Sequence, residues 1–221
     1  VHYIYIFHSI FSVHSYLRKG AIDNYDTIFC VGPHHVREIK ETEKVYGLKP
    51  KKLITYGFGR LDTLLQQKRK NNKIKSKNKK LIIIAPTYGD KNLLEVCGVK
   101  LIEILLKSNF RILLRPHFKI LKESKELIQT INKKFECNPD FILEKGIIPS
   151  ELFNSSVCMI SDWSGISLEY AFTFERPVIF IDVPKKVLNQ NVNDISLEPI
   201  EISIREKIGH IIKPNNLKDI L

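Results

Sequence analysis

The sequence predicts an α/β protein built on parallel sheets, and three observations lead there. Short unbroken apolar runs recur along the chain, Leu81-Ile82-Ile83-Ile84-Ala85 being the clearest. They lack the alternation of half-exposed strands and suit strands buried on both faces. Between them lie helix-length segments with apolar residues at three- and four-residue spacings, so the order reads strand, helix, strand. The composition, 43% apolar and 27% charged over 221 residues, fits one large domain or two small ones with cores and excludes a disordered chain.

In chain order, the first strands are expected at residues 3–7, 27–31 and 53–56, with a helix at 36–46 that carries charge on one side. Residues 66–80 then break the pattern. Lys68, Arg69, Lys70, Lys73, Lys75, Lys77, Lys79 and Lys80 supply eight positive charges with no acid, and Asn71, Asn72 and Asn78 are interleaved. This reads as a solvated basic linker. Strands are expected again at 81–85, 111–114, 157–160 and 178–181, with helices at 93–107, 120–135 and 165–174. The domains are therefore expected at 1–65 and 81–221.

The net charge of +11 first suggests a nucleic-acid or anionic-membrane partner. Most of it sits in the 66–80 segment, which has no aromatic residue on which a base could stack, so nucleic acid is not expected. Cys30, Cys97, Cys137 and Cys158 form no C-x-x-C pair and read as reduced thiols of a cytosolic protein. Val1 stands where a Met would begin a protein, already inside a strand-like run, which reads as an N-terminal cut. No run approaches the 18 to 20 apolar residues of a membrane span, and no signal-peptide pattern is present.

Doubly wound sheets bind ligands beyond the C-terminal ends of their strands, so the loops after the apolar runs hold the candidates. After residue 160 comes Ser161-Asp162-Trp163-Ser164-Gly165-Ile166-Ser167, a polar turn leading into a helix. Gly165 admits a ligand to the backbone, Ser164 caps the helix or bonds an oxygen, and first-turn amides favour phosphate; plain N-capping explains the same residues. Arg115-Pro116-His117 closes another strand, pairing a forked cation with a group that exchanges protons near neutrality. Ala85-Pro86-Thr87 occupies the corresponding place after residues 81–85. His8 follows the first strand, and His34-His35 opens a helix, where a solvated role is expected in preference to metal ligation. No zinc-ligand spacing, Walker loop or G-x-G-x-x-G occurs, so no metal site and no cofactor are expected.

The ordered set His8, Asp26, Gly57-Phe58-Gly59-Arg60-Leu61-Asp62, Ala85-Pro86-Thr87, Arg115-Pro116-His117 and Ser161-Asp162-Trp163-Ser164-Gly165 resembles the CDP-glycerol glycerophosphotransferases, the bacterial teichoic-acid and capsule polymerases. Three motifs differ from the usual family pattern: Ser9 stands for Gly, Phe118 for Pro, and Asp162-Trp163-Ser164-Gly165 for Asp-Tyr-Ser-Ser. The last form leans toward nucleotide-sugar transferases and UDP-N-acetylglucosamine 2-epimerases.

The resemblance implies two Rossmann-like halves of the GT-B type, with 1–65 the end of an incomplete acceptor-side domain and 81–221 the nucleotide-donor domain. It implies His8 as the base acting on the acceptor hydroxyl and His117 as a second catalytic group. Thr87, Arg115, Ser161, Asp162, Ser164, Gly165 and Ser167 would hold the donor. The activity implied is transfer of glycerol phosphate, or a related polyol phosphate, from a CDP-polyol to a lipid-linked cell-surface polymer, with CMP leaving. The protein would rest on the inner face of the cell membrane. A glycosyltransferase using a nucleotide sugar and a non-catalytic nucleotide-binding remnant are the alternatives.

Overall fold

The computed structural model describes residues 1–70 and 79–221. The chain folds as two compact units, one of Val1–Asp62 with Lys186–Ile204 and the other of Thr63–Lys185 with Arg205–Leu221. The expected division at 65 and 81 cuts the chain once, whereas the chain itself leaves the second unit at Lys186 and re-enters it at Arg205. Of the expected linker, residues 66–70 instead complete a helix, and 71–78 lie outside the described residues.

In the first unit, strands β1 (Ile4–Ile6), β2 (Thr27–Cys30) and β3 (Lys52–Thr55) form a parallel sheet in that order. A short helix α1 (Val13–Tyr16) follows β1, and α2 (Pro33–Tyr46) joins β2 to β3. The bounds of α2 follow from its chemistry. Pro33 takes the first turn, where its missing N–H costs nothing, and Gly47 ends the helix at φ 62°, while Leu48 N–H reaches back to Glu43 O at 2.8 Å. Phe7, Val13, Ile22, Ile28, Cys30 and Ile39 make the core.

Helix α3 (Gly59–Lys70) crosses the boundary after Asp62, and the sheet of the second unit comprises β4 (Leu81–Ala85), β5 (Arg111–Leu114), β6 (Phe141–Leu143), β7 (Ser156–Ser161), β8 (Val178–Ile181) and β9 (Gly209–Ile212). All pairings are parallel, in the order β6-β5-β4-β7-β8-β9. The unbroken apolar runs have a direct cause here. Ile82 and Ile84 pack into one core layer and Leu81, Ile83 and Ala85 into the other, and β5 divides likewise between Ile112 and Leu114 on one side and Leu113 on the other.

The helix expected at 93–107 is a π-helical turn, Leu94–Gly98, continuing into α4 (Val99–Lys107). That expected at 120–135 is two helices, α5 (Phe118–Glu123) and α6 (Lys125–Phe135), parted where Ser124 leaves helical geometry at φ −121°, ψ 48°. Next come α7 (Ser150–Ser155) and α8 (Ile166–Phe174). Helix α9 (Ile200–Ser203) belongs to the first unit and α10 (Arg205–Ile208) to the second. Gly209 opens β9 against β8 so closely that a Cβ there would lie 1.7 Å from Val178 O.

Candidate functional site

The strand order creates a switch point in the second unit. The chain leaves β4 for β5 on one side and returns through β7 on the other, so the loops after β4 and β7 flank the place where doubly wound sheets open a ligand crevice. Thr87 follows β4, Arg115 and His117 follow β5, and Ser161 to Ser167 follow β7. The three neighbouring strands thus gather every candidate but His8, which belongs to the first unit.

Two of these loops are tied by Asp162, a fully buried residue. Its Oδ1 accepts the Thr87 N–H at 2.6 Å and its Oδ2 the Leu93 N–H at 3.0 Å. Burial pushes this carboxyl above its ordinary pKa, against the pull of the Leu93, Thr87, Trp163 and Asp162 amides. Ser161 Oγ donates to Ala85 O at 2.7 Å, and Ser167 Oγ to Ser164 O at 2.7 Å. Three residues expected on the donor therefore spend these polar groups on the scaffold, fixing the turn rather than reaching into the crevice. Ser164 is buried just before α8, and Gly165, at φ −59° and ψ −25°, has ordinary helical backbone.

On the β5 side the Arg115 N–H donates to Ile84 O at 2.9 Å, which carries the ladder one residue past the strand and sets Arg115 at its end. His117 is the N-cap of α5: its Nδ1 accepts the Lys119 N–H at 3.2 Å. That bond assigns the neutral ring its proton on Nε2, so His117 offers an N–H donor. The ring lies 4.6 Å from Tyr88 and 4.5 Å from Phe118, and Lys119 Nζ stands 4.2 Å from the centre of Tyr88.

Trp163 and Arg205 complete the β7 side, and sequence reading missed the second. Trp163 Nε1 donates to Val183 O at 2.9 Å, and the Arg205 guanidinium lies 4.1 Å from the indole centre and 4.9 Å from Phe180. Arg205 Nη1 donates to Asp182 Oδ1 at 3.3 Å. Burial lowers the pKa of this guanidinium, and Asp182 and Asp162 oppose the shift. No signal in Ile204-Arg205-Glu206-Lys207, a charged stretch that reads as solvated, points to a buried arginine.

In the first unit His8 is exposed, its Nε2 2.9 Å from Tyr16 Oη. The loop that carries it is held from beneath. Glu38 accepts the Val13 N–H at 2.5 Å and lies 3.2 Å from His14 Nδ1; Glu201 accepts the Ser12 N–H at 3.0 Å and the Ser15 hydroxyl. Burial alone would push Glu38 up, but His14, Ser12 and the Val13 amide together hold it below its ordinary pKa. His34 and His35 are not solvated as expected. Both are buried, and their Nε2 atoms donate to Ile10 O at 3.0 Å and Phe11 O at 2.9 Å, closing backbone carbonyls of the same loop. Burial and the neighbouring His34 lower the His35 pKa to about 4.

Among the described residues no group of three or more His, Cys, Asp and Glu is placed to hold a metal. A cavity of about 520 Å³ opens beside Arg176, Val178, Glu206, Gly209 and His210, at the starts of β8 and β9 and so away from the strand ends described above.

Comparison with solved structures supports the fold. UDP-GlcNAc 2-epimerase from Methanocaldococcus jannaschii aligns with a TM-score of 0.58 at 15% identity, over 89% of this chain and 52% of that one. The pneumococcal O-GlcNAc transferase GtfA aligns with a TM-score of 0.58 at 13% identity, over 99% of this chain and 44% of that one. The wall teichoic acid polymerase TagF aligns at 0.47 with 20% identity, over 89% and 48%. The chain thus spans about half the length of these proteins, and its fold is α/β of the GT-B type, as expected. A search of curated protein sequences returns no match. The sequence profile of the CDP-Glycerol:Poly(glycerophosphate) glycerophosphotransferases matches residues 14–190, a span that holds every donor-side motif and begins after His8. With most of its length so matched, the chain belongs to that family of transferases.

Proposed function

We propose that the protein transfers glycerol phosphate, or a related polyol phosphate, from a CDP-activated donor to a hydroxyl of a growing cell-surface polymer. The observation that carries this reading is the gathering of the family's donor-side motifs on three adjacent strand ends, within the matched residues 14–190. The acceptor oxygen attacks the phosphorus that bears the glycerol, the bond from that phosphorus to the CMP phosphate oxygen breaks, and CMP leaves. His8 takes the proton of the acceptor hydroxyl. Such general-base help is worth roughly 10² to 10⁴ in rate.

His117 acts in this reading as a hydrogen-bond donor to the donor phosphates, because its Nδ1 is already bonded to the Lys119 amide. Arg115 supplies a fixed cation, and the N-terminus of α8 after Ser164 and Gly165 adds amides and the positive end of its dipole. Phosphoryl transfer depends mainly on such positioning and charge stabilisation. Thr87 lines the crevice, while Ser161, Asp162 and Ser167 shape the turn.

Incubating the intact protein with a panel of CDP-polyols and nucleotide sugars, and identifying the nucleotide released, tests the reading. CMP from a CDP-polyol supports it. Release of UDP from a UDP-sugar, with no CMP, would replace it with a glycosyltransferase, a reading favoured by Asp162-Trp163-Ser164-Gly165 standing where the family has Asp-Tyr-Ser-Ser.

The acceptor in this reading is a lipid-linked polymer, and the protein lies on the cytoplasmic face of the membrane. Among the described residues no helix is long and apolar enough to cross a bilayer. The 35 basic residues against 24 acidic ones favour an anionic surface, at about 1 kcal/mol for each basic residue near it. Washing membranes with salt should release the protein; recovery only with detergent would refute a peripheral contact.

A further inference from the structure

Arg205 is only 4% exposed, yet its Nε and Nη2 have no hydrogen-bond partner among the described residues. Buried N–H groups without partners are destabilising, more so on a charged group, and an ion pair of this kind is often no more stable than an apolar side chain of its size. Its ion pair with the half-exposed Asp182 is 3.3 Å long. Stability alone gives a poor account of an arginine here, and the contacts it does make supply another. The guanidinium lies between the faces of Trp163 and Phe180, within the range of a cation–π contact to both. Trp163 follows Asp162, whose carboxylate holds the loop after β4, and precedes Ser164 and Gly165 at the start of α8.

We propose that Arg205 is a positioning residue of the donor-phosphate site, holding the Trp163 indole and through it the turn from Asp162 to Gly165 in the form that receives phosphate. The indole is gripped twice, on its face by the guanidinium and at Nε1 by Val183 O. The backbone between Asp162 and Ser164 is then left little freedom. The cation also places a positive charge beside the crevice, balancing the buried Asp162 carboxyl. The inference rests on the reading that this turn binds the donor phosphates.

Arg205→Met and Arg205→Lys in the intact protein test it by three readouts: melting temperature without nucleotide, kcat and KM for CDP-glycerol, and CMP affinity by calorimetry. Arg205→Met is expected to melt no lower than the parent, while KM rises and CMP affinity falls by tenfold or more and kcat changes less than threefold. Arg205→Lys should recover part of the affinity, since it restores the charge without the flat face. Combining Arg205→Met with Trp163→Phe should add little to the loss, because both act on one turn. A Met variant whose KM and CMP affinity stay within twofold of the parent overturns the proposal. So does one that fails to fold while Arg205→Lys keeps a parental KM, which would make the residue structural. A parent that uses a nucleotide sugar instead overturns the donor identity alone, and the same comparison is then made with that donor. A parent that binds no nucleotide overturns both.

Discussion

Lowering the pH should weaken the first unit through one residue, His35. In the folded chain its imidazole is buried, stands beside His34, and donates Nε2–H to Phe11 O, and its pKa falls from 6.5 to about 4. Between those values the unfolded chain binds the proton and the folded chain does not, so stability rises with pH across the window and is lost as pH falls from 6.5 toward 4. The difference amounts to about 2 kcal/mol between pH 7 and pH 5 and about 3 kcal/mol in full. Urea denaturation followed by circular dichroism at constant ionic strength, at half-unit steps from pH 7.5 to 4.5, measures it. His35→Gln retains a donor for the Phe11 carbonyl and removes the titration, so its curve should be flatter by that amount. If the variant loses as much stability as the parent between pH 7 and pH 5, the burial argument for His35 is wrong.

Asp162→Asn keeps the shape but turns an N–H toward one of the two amides at Thr87 and Leu93; unfolding free energy should drop by about 2 to 4 kcal/mol, and a drop below about 0.5 would deny Asp162 its bridging role. His117→Asn can still cap α5 but has no Nε2–H, so melting should change little while turnover with a CDP-linked donor falls by about a hundredfold or more; near-normal turnover removes His117 from the chemistry. Gly209→Ala would force a methyl to within 1.7 Å of Val178 O, and the β8–β9 pairing should open, lowering the melting temperature by 5 °C or more, about 1.5 kcal/mol or more of stability. An unchanged melting curve for that variant would show that the two strands do not approach so closely.

The central strands of the second unit were legible because nearly every side chain in them is buried, which leaves an apolar run and nothing else to read. The edge strands were not. Phe141-Ile142-Leu143 is three residues long, and Gly209-His210-Ile211-Ile212 opens on a glycine and an exposed histidine, so neither shows a strand pattern. Helix α3 escaped notice because its last turn carries Lys68, Arg69 and Lys70, which suit the negative end of a helix as well as they suit a linker. In the candidate site, position after a strand was enough to bring Arg115, His117 and the 161–165 turn together as candidates. It could not say whether a given oxygen faces a ligand or the scaffold. Ser161, Asp162 and Ser167 turn inward because Ala85 O, the Thr87 and Leu93 amides and Ser164 O need partners, and those partners come from other elements or from the turn itself. His34 and His35 were misjudged for the same reason, their carbonyl partners lying 24 residues away.

The carboxylate beneath the His8 loop sets an order of events at the ribosome. Ser15 and Glu201 are 186 residues apart, and every residue between them must be synthesised before the bond can form. At about 5 to 20 residues per second the interval is roughly 10 to 40 s, long compared with the folding of most single domains. Residues 1–62 therefore emerge ahead of the whole of Thr63–Lys185 and wait for Glu201, their Ser12 amide and Ser15 hydroxyl facing water. The unit begun before the other is closed after it, and the loop bearing His8 acquires its support from Glu201 only once Thr63–Lys185 has been made.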